Sequence, residues 1–350
     1  MVCIAAFIIL ALIGVFVAII SIFKRDVGRA YLKVMKKAWG CLWKKVRLQK
    51  CETGFKEDVK NTILSRVIVK HPKWVKPLSV IIEVLSVVIV VVAVWALLTA
   101  VKSLLALWAL GSCNVTKPSA CTLGAEVCSI DESEPTNIIE ATGRWFTEWG
   151  EIFEAIPEKF KNYDAASYDF QYISSGVDTE GKPVAVDIFD PGCSVCQRSY
   201  VNQKNAGFFE QYDVRLVPFA IQGADDSYKF RNSEVVVRYM LAAEEYEKGL
   251  GVKILDKIFT AKNSEGLSYL NKFNEDYDHE QAVAKLEAWL SEFGVDSKGV
   301  KIIREGANSD EVTTKMATNR TIVESELKVK GIPTTIYDGR KHTGLWKTEG

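Results

Sequence analysis

Two cysteines three residues apart, Cys193-Ser194-Val195-Cys196, follow the compact apolar run PVAVDIFD and open a stretch, CSVCQRSYVNQKNAGFF, of helical character. Unpaired amides and the helix dipole favour a thiolate at a helix start, so Cys193 is the candidate nucleophile. Cys196 stands one turn further on, close enough to close a small disulfide with it. Such a pair exchanges two electrons with another dithiol. A C-x-x-C is also half a zinc site. No second C-x-x-C follows Gly111, and the histidines there, His279 and His342, are far away in sequence. A copper-carrying reading needs a histidine or methionine beside the cysteines, and His342 is the one candidate near Pro333. A purely structural disulfide is the remaining alternative.

The elements that must hold this pair begin near Ser167. SYDFQYIS alternates as a half-buried strand does, and PVAVDIFD, bounded by Pro183 and by Pro191-Gly192, reads as a buried strand. VRLVPFAI is a second buried strand. From Ser233 to about Arg304 the pattern is helical, and another helix covers about Asp310 to Leu327. VKGIPTTIYDG and a turn before HTGLW then read as a hairpin. Strand, helix, strand, several helices, strand, strand implies an α/β layer with a helical insertion.

FDPGCSVC, VPFAI, the helical insertion and VKGIPTTIYDG together resemble the thioredoxin-like fold in its DsbA-like branch, over residues 167–347. Asp187 precedes Cys193 by six residues, where thioredoxins carry a buried acid. Gly331-Ile332-Pro333-Thr334 matches the family's G-x-P-T loop, whose proline is cis and faces the active disulfide. RYMLAAEEYEKGLGVKILDKIF resembles its inserted helices. The resemblance implies an exposed nucleophile at Cys193 and a more buried resolving thiol at Cys196. It implies a buried Asp187 with a raised pKa that moves a proton for Cys196. Ile332 and Pro333 would line the substrate site, with Ile332 set for backbone pairing with an extended polypeptide. Asp190, beside the turn, is expected to disfavour a thiolate at Cys193. Ser194-Val195 differs from the Pro-His of strong oxidants and the Gly-Pro of reductants, which leaves the direction of electron flow open.

Charge is balanced, 44 basic against 44 acidic residues, but not evenly spread. Lys24 to Pro77 holds 16 basic and 4 acidic residues, and Gly111 to Gly350 holds 27 and 39. The acidic half argues against nucleic-acid binding. Two apolar segments separate these regions, Ile4–Phe23 and the run of residues 78–110 with its uncharged centre Val84–Val101. Twenty residues at 1.5 Å each reach about 30 Å, the thickness of a hydrocarbon core. No basic residue precedes the first run, so it reads as a retained transmembrane helix. The basic loop, residues 24–77, is expected in the cytoplasm and everything after Leu110 outside it. Within that loop Val27, Tyr31, Val34, Ala38 and Leu42 recur at helical spacing, which suits an interfacial helix with Trp39 and Trp43 at headgroup depth.

Residues 111–166 read as a linker. It carries Cys113, Cys121 and Cys128, then an amphipathic stretch in which Ile138, Trp145, Phe146, Trp149 and Phe153 form one apolar face. With Cys193 and Cys196 the outer cysteines number five, so one is left free or pairs with another chain. The sequence thus predicts a two-pass protein of the cell membrane bearing, at residues 167–350, an extracytoplasmic domain that forms or rearranges disulfides in exported proteins. Oxidation or isomerisation is expected rather than reduction, with no metal or nucleotide cofactor. Its expected partners are cysteine-containing exported proteins, a separate membrane or soluble redox partner and the lipid membrane. The alternative is a non-catalytic tethered adaptor of an envelope or secretion complex.

Overall fold

A computed structural model describes residues 75–121, 123–130, 135–177, 180–223, 227–263 and 266–346, together with Lys36, Trp39 and Trp43. The expected first membrane segment and almost all of the basic loop lie outside the described residues. Lys36, Trp39 and Trp43 are helical, and both tryptophans are exposed. The chain divides into two compact units, Met1–Val101 and Lys102–Gly350.

Helix α1, Val75–Leu110, runs 36 residues without a break. It begins ahead of the apolar run because Pro77 falls in its first turn, where a missing N–H costs nothing. Val87–Leu110 within it is, among the described residues, the one span long and apolar enough to cross a membrane.

In the second unit the side chain of Lys102 is buried, pairs with the Glu148 carboxylate and lies 5.3 Å above the Trp145 ring. Glu148 belongs to α2, Ile138–Glu158, whose first turn Asn137 caps through the Glu140 N–H at 2.8 Å. That ion pair turns positions 145, 148, 149 and 152 inward, an i, i+3, i+4, i+7 stripe. Ile152, which the sequence reading did not select, is fully buried against Ala106 and Val115. Phe146 and Phe153, assigned to the apolar face, are exposed, with their rings against Trp145 and Trp149 at 5.0 and 5.9 Å.

The main sheet has the order β2-β4-β3-β6-β7, from β2 (Ile173–Ser174), β3 (Val184–Phe189), β4 (Asp213–Pro218), β6 (Thr334–Tyr337) and β7 (Arg340–Thr343). Central β3 pairs parallel with β4 and antiparallel with β6. A strand flanked on both sides and covered on both faces needs a continuous apolar sequence, which VAVDIF supplies. Between β3 and β4 runs α3, Ser194–Asn205. The expected strand over SYDFQYIS shrinks to β2. The Asn319 side chain accepts from the Gln171 N–H and donates to the Gln171 carbonyl, each at 2.8 Å, and so occupies the groups a neighbouring strand would use.

The helical insertion comprises α4 (Ser233–Tyr246), α5 (Leu250–Thr260), α6 (His279–Glu292), α7 (Ser297–Ala307) and α8 (Asp310–Arg320). The α/β layer with a helical insertion is therefore present. The β6–β7 hairpin turns at Asp338 and Gly339, both at positive φ, the primed turn that suits strand twist. A second, two-stranded ladder joins β1 (Cys128–Ser129) to β5 (Gly331–Ile332).

Trp289 of α6 is 1% exposed and packs against Tyr269 and Phe273, with ring centroids at 4.9 and 5.6 Å. Trp289→Ala is expected to destabilise the second unit by about 3–5 kcal/mol. A urea titration of the detergent-solubilised full chain, followed by tryptophan fluorescence and far-ultraviolet dichroism, reads this as a lower midpoint.

Candidate active site

Cys193 sits where β3, after the turn Asp190-Pro191-Gly192, hands the chain to α3. It is the N-cap residue of α3, and its sulfur accepts from the Cys196 N–H at 3.4 Å. Asp190 fixes the turn. One carboxylate oxygen accepts from the Gly192 N–H at 2.7 Å and from the Ser233 hydroxyl, and the other accepts from the Ile221 N–H at 2.7 Å. The insertion grips the same corner, since Asn274 donates to the Gly192 carbonyl at 2.8 Å and Gln197 of α3 donates to the Phe259 carbonyl at 2.7 Å.

Asp187 faces the same side of the sheet as Thr335, its partner in the β3–β6 register. It accepts from the Thr335 hydroxyl at 2.8 Å and the Gln203 amide at 3.3 Å. Gln203 lies seven residues after Cys196 on α3, hence on the same helix face. Burial pushes the Asp187 carboxyl up to about 6, against the two hydrogen bonds that favour its charge. Burial likewise raises Asp190 to about 6, opposed by its three donors and by the Lys229 charge. Cys196, also buried, has its thiol pushed well above the ordinary range, chiefly by desolvation and further by the Asp190 and Asp187 carboxylates. The Asp190 charge acts on the Cys196 thiol.

The exposure expected of Cys193 is not found: its relative exposure is 0%, and its sulfur is bonded elsewhere than to Cys196. It forms a disulfide with Cys128, 65 residues earlier, and Cys196 is the one free cysteine among the described residues. What covers Cys193 is therefore the linker, placed across it by β1. Cys113 and Cys121 close the other linker disulfide. Their loop packs beside Cys128, because the Ser129 hydroxyl accepts from the Ser119 N–H and donates to the Ser119 hydroxyl, each at 2.9 Å.

Ile332 and Pro333 lie at this junction, joined by a cis peptide bond. Ile332 pairs in register with Cys128 and Gly331 with Ser129. The structure thus brings Cys193, Cys196, Asp187, Ile332 and Pro333 to one end of the sheet. His342 stacks on Tyr337 at 4.7 Å in the hairpin, with its pKa lowered by burial. Sequence reasoning missed Gln203 and Thr335, and it left the linker cysteines open between a relay to Cys193 and a link to a second chain.

No family model matches the chain, and no curated protein matches it. Among solved structures it is similar to the thiol-disulfide exchange protein alpha-DsbA2 from Wolbachia pipientis, at 16% identity over 59% of this chain and 92% of that one, with a TM-score of 0.35. A linker-deleted mutant of Proteus mirabilis ScsC is similar at 15% identity, over 62% of this chain and 93% of that one, with a TM-score of 0.39. A putative protein disulfide isomerase from Nitrosomonas europaea is similar at 15% identity, over 47% and 91%, with a TM-score of 0.34.

The two buried carboxyls carry a definite pH dependence. Each has a folded pKa of about 6 against an ordinary 3.8. Between those values the folded chain holds protons that the unfolded chain has released, so their contribution to stability falls as pH rises from about 4 to about 6 and is level above. Each rise corresponds to about 3 kcal/mol. Asp187→Asn is expected to remove about half of this slope, which urea midpoints of the full chain across pH 4 to 8 would show.

Proposed function

We propose that the chain is a membrane-anchored, extracytoplasmic thiol-disulfide oxidoreductase of the thioredoxin-like, DsbA-like kind. It acts through Cys193 and Cys196 on the cysteines of exported proteins. One observation carries the reading. A disulfide sulfur at a helix N-terminus has a free thiol one turn away, with a buried carboxyl of raised pKa on the same side of the sheet. That is the arrangement in which one thiol resolves a mixed disulfide held by its neighbour. In this reading Cys193 carries the bond to a substrate, Cys196 attacks it, and Asp187 takes the Cys196 proton. The sheet order, the C-x-x-C at the end of the central strand and the loop at Ile332–Pro333 support the fold assignment.

The long apolar α1 supports anchoring. The proposed topology is two-pass, with residues 4–23 as the first span and the basic loop inside; the split of charge along the sequence supports it. On the far side of the membrane, disulfide formation or isomerisation suits the compartment better than reduction.

A second reading has one observation in its favour. Cys193 is covered and already bonded, as it would be in an adaptor that uses this bond as a clamp. Detergent-solubilised full chain is expected to promote refolding of reduced ribonuclease, and Cys193→Ser to abolish it. Absence of that activity and of insulin reduction from the wild-type chain supports the adaptor. The Cys193–Cys196 couple is expected on the oxidising side of about −200 mV, and a value near about −270 mV would assign a reductase instead.

A further inference from the structure

The peptide that covers Cys193 is held as an extended polypeptide would be held by this groove. Cys128 and Ser129 lie antiparallel to Ile332 and Gly331. The ladder continues past Ser129, since the Ile130 N–H donates to the Lys330 carbonyl at 3.0 Å, and ahead of Cys128 the Glu126 carbonyl accepts from the Leu345 N–H, in the segment after β7, at 2.8 Å. Lys229 reaches the Ser129 carbonyl at 3.1 Å, and Arg198 pairs with Glu126 at 2.7 Å. The groove floor is glycine where this peptide runs. A Cβ at Gly331 would stand 3.0 Å from a methyl of Val127, and one at Gly344 would stand 2.4 Å from the Ala125 side chain. Main-chain pairing of this kind takes any sequence and leaves the side chains to pockets, which is how a site accepts many polypeptides. A clamp would account for the Cys128–Cys193 bond. It would not account for a free thiol beside that bond, or for a ladder built from backbone groups of the active-site loop.

We propose that Cys128 is a third exchange-active cysteine, and that residues 126–130 are a tethered internal substrate filling the polypeptide groove until Cys196 displaces them. The proposal rests on the thiol-disulfide reading above. In the step itself Cys196 gives up its proton and its sulfur attacks the Cys193 sulfur. The Cys193–Cys196 bond forms, the Cys128–Cys193 bond breaks, and the departing Cys128 sulfur takes up a proton. One disulfide and one thiol stand on each side, so no outside oxidant or reductant enters. A tethered cysteine competes at an effective concentration of about a millimolar. An outside polypeptide at micromolar concentration therefore reaches Cys193 chiefly after the internal peptide has left.

The test is peptide mapping of the full chain in detergent, after acid quench and alkylation without reduction, set beside its reaction with a cysteine-containing peptide at micromolar concentration. Wild type is expected to show two populations, Cys128–Cys193 with Cys196 alkylated and Cys193–Cys196 with Cys128 alkylated. Cys196→Ser is expected to hold Cys128–Cys193 alone. Cys128→Ser is expected to hold Cys193–Cys196 alone and to react with the peptide about tenfold faster than wild type or more. Ile130→Pro touches no sulfur and removes one ladder N–H, so it should shift the wild-type populations about fivefold toward Cys193–Cys196. Absence of the Cys128–Cys193 peptide from Cys196→Ser overturns the proposal. So does a wild type with only that bond which reacts as fast as Cys128→Ser. If no variant reacts with the outside peptide while wild type still shows both populations, internal exchange stands and the enzymatic reading falls.

Discussion

The Asp190 carboxylate ties together three stretches of chain that are distant in sequence. Its oxygens accept from the Gly192 N–H in the turn before Cys193, from the Ile221 N–H just past β4, and from the Ser233 hydroxyl at the first residue of α4. A carboxylate taken out of water is costly unless donors replace the lost hydration. Here the donors are supplied by the elements that must converge for the site to exist: the strand end, its parallel neighbour and the insertion. The position of the Cys193 sulfur is a consequence of that convergence.

A second buried acid lies further back on β3. Asp187 shares its face with Thr335 and Gln203, and both it and Asp190 raise the Cys196 thiol through their charge. Carboxylates near a buried thiol hold its proton on. They also provide, near neutral pH, groups whose own proton affinity lies within reach of the exchange they serve. The site is thereby buried, acidic and closed around one thiol, while the neighbouring sulfur at the helix start is bonded to the linker.

Much of this was legible because it is local. The run VAVDIF between a proline and Pro191-Gly192, the C-x-x-C that follows and the helical periodicity of Ser233 to Arg304 each declare themselves within a few residues. The inward stripe of α2 was half legible. Helical spacing allowed Phe146 and Phe153 as readily as Ile152, and the pairing of Glu148 with Lys102, 46 residues earlier, decided between them. SYDFQYIS has strand alternation, yet Asn319, 148 residues after Gln171, occupies its hydrogen-bonding groups. The Cys128–Cys193 bond left no local trace. Disulfide connectivity is a property of the folded chain, and five cysteines admit many pairings.

Five is also an odd number, and sulfurs bond in twos. However the bonds among the five cysteines of the second unit are arranged, at least one sulfur is left without a partner among them. In the structure that remainder is Cys196, 1% exposed and near the Asp187 and Asp190 carboxyls. Transfer of one bond from Cys128 to Cys196 would carry the remainder from the interior to the linker and leave the total oxidation level unchanged. Where these five pair only among themselves, the location of one covalent link decides which sulfur stays reduced.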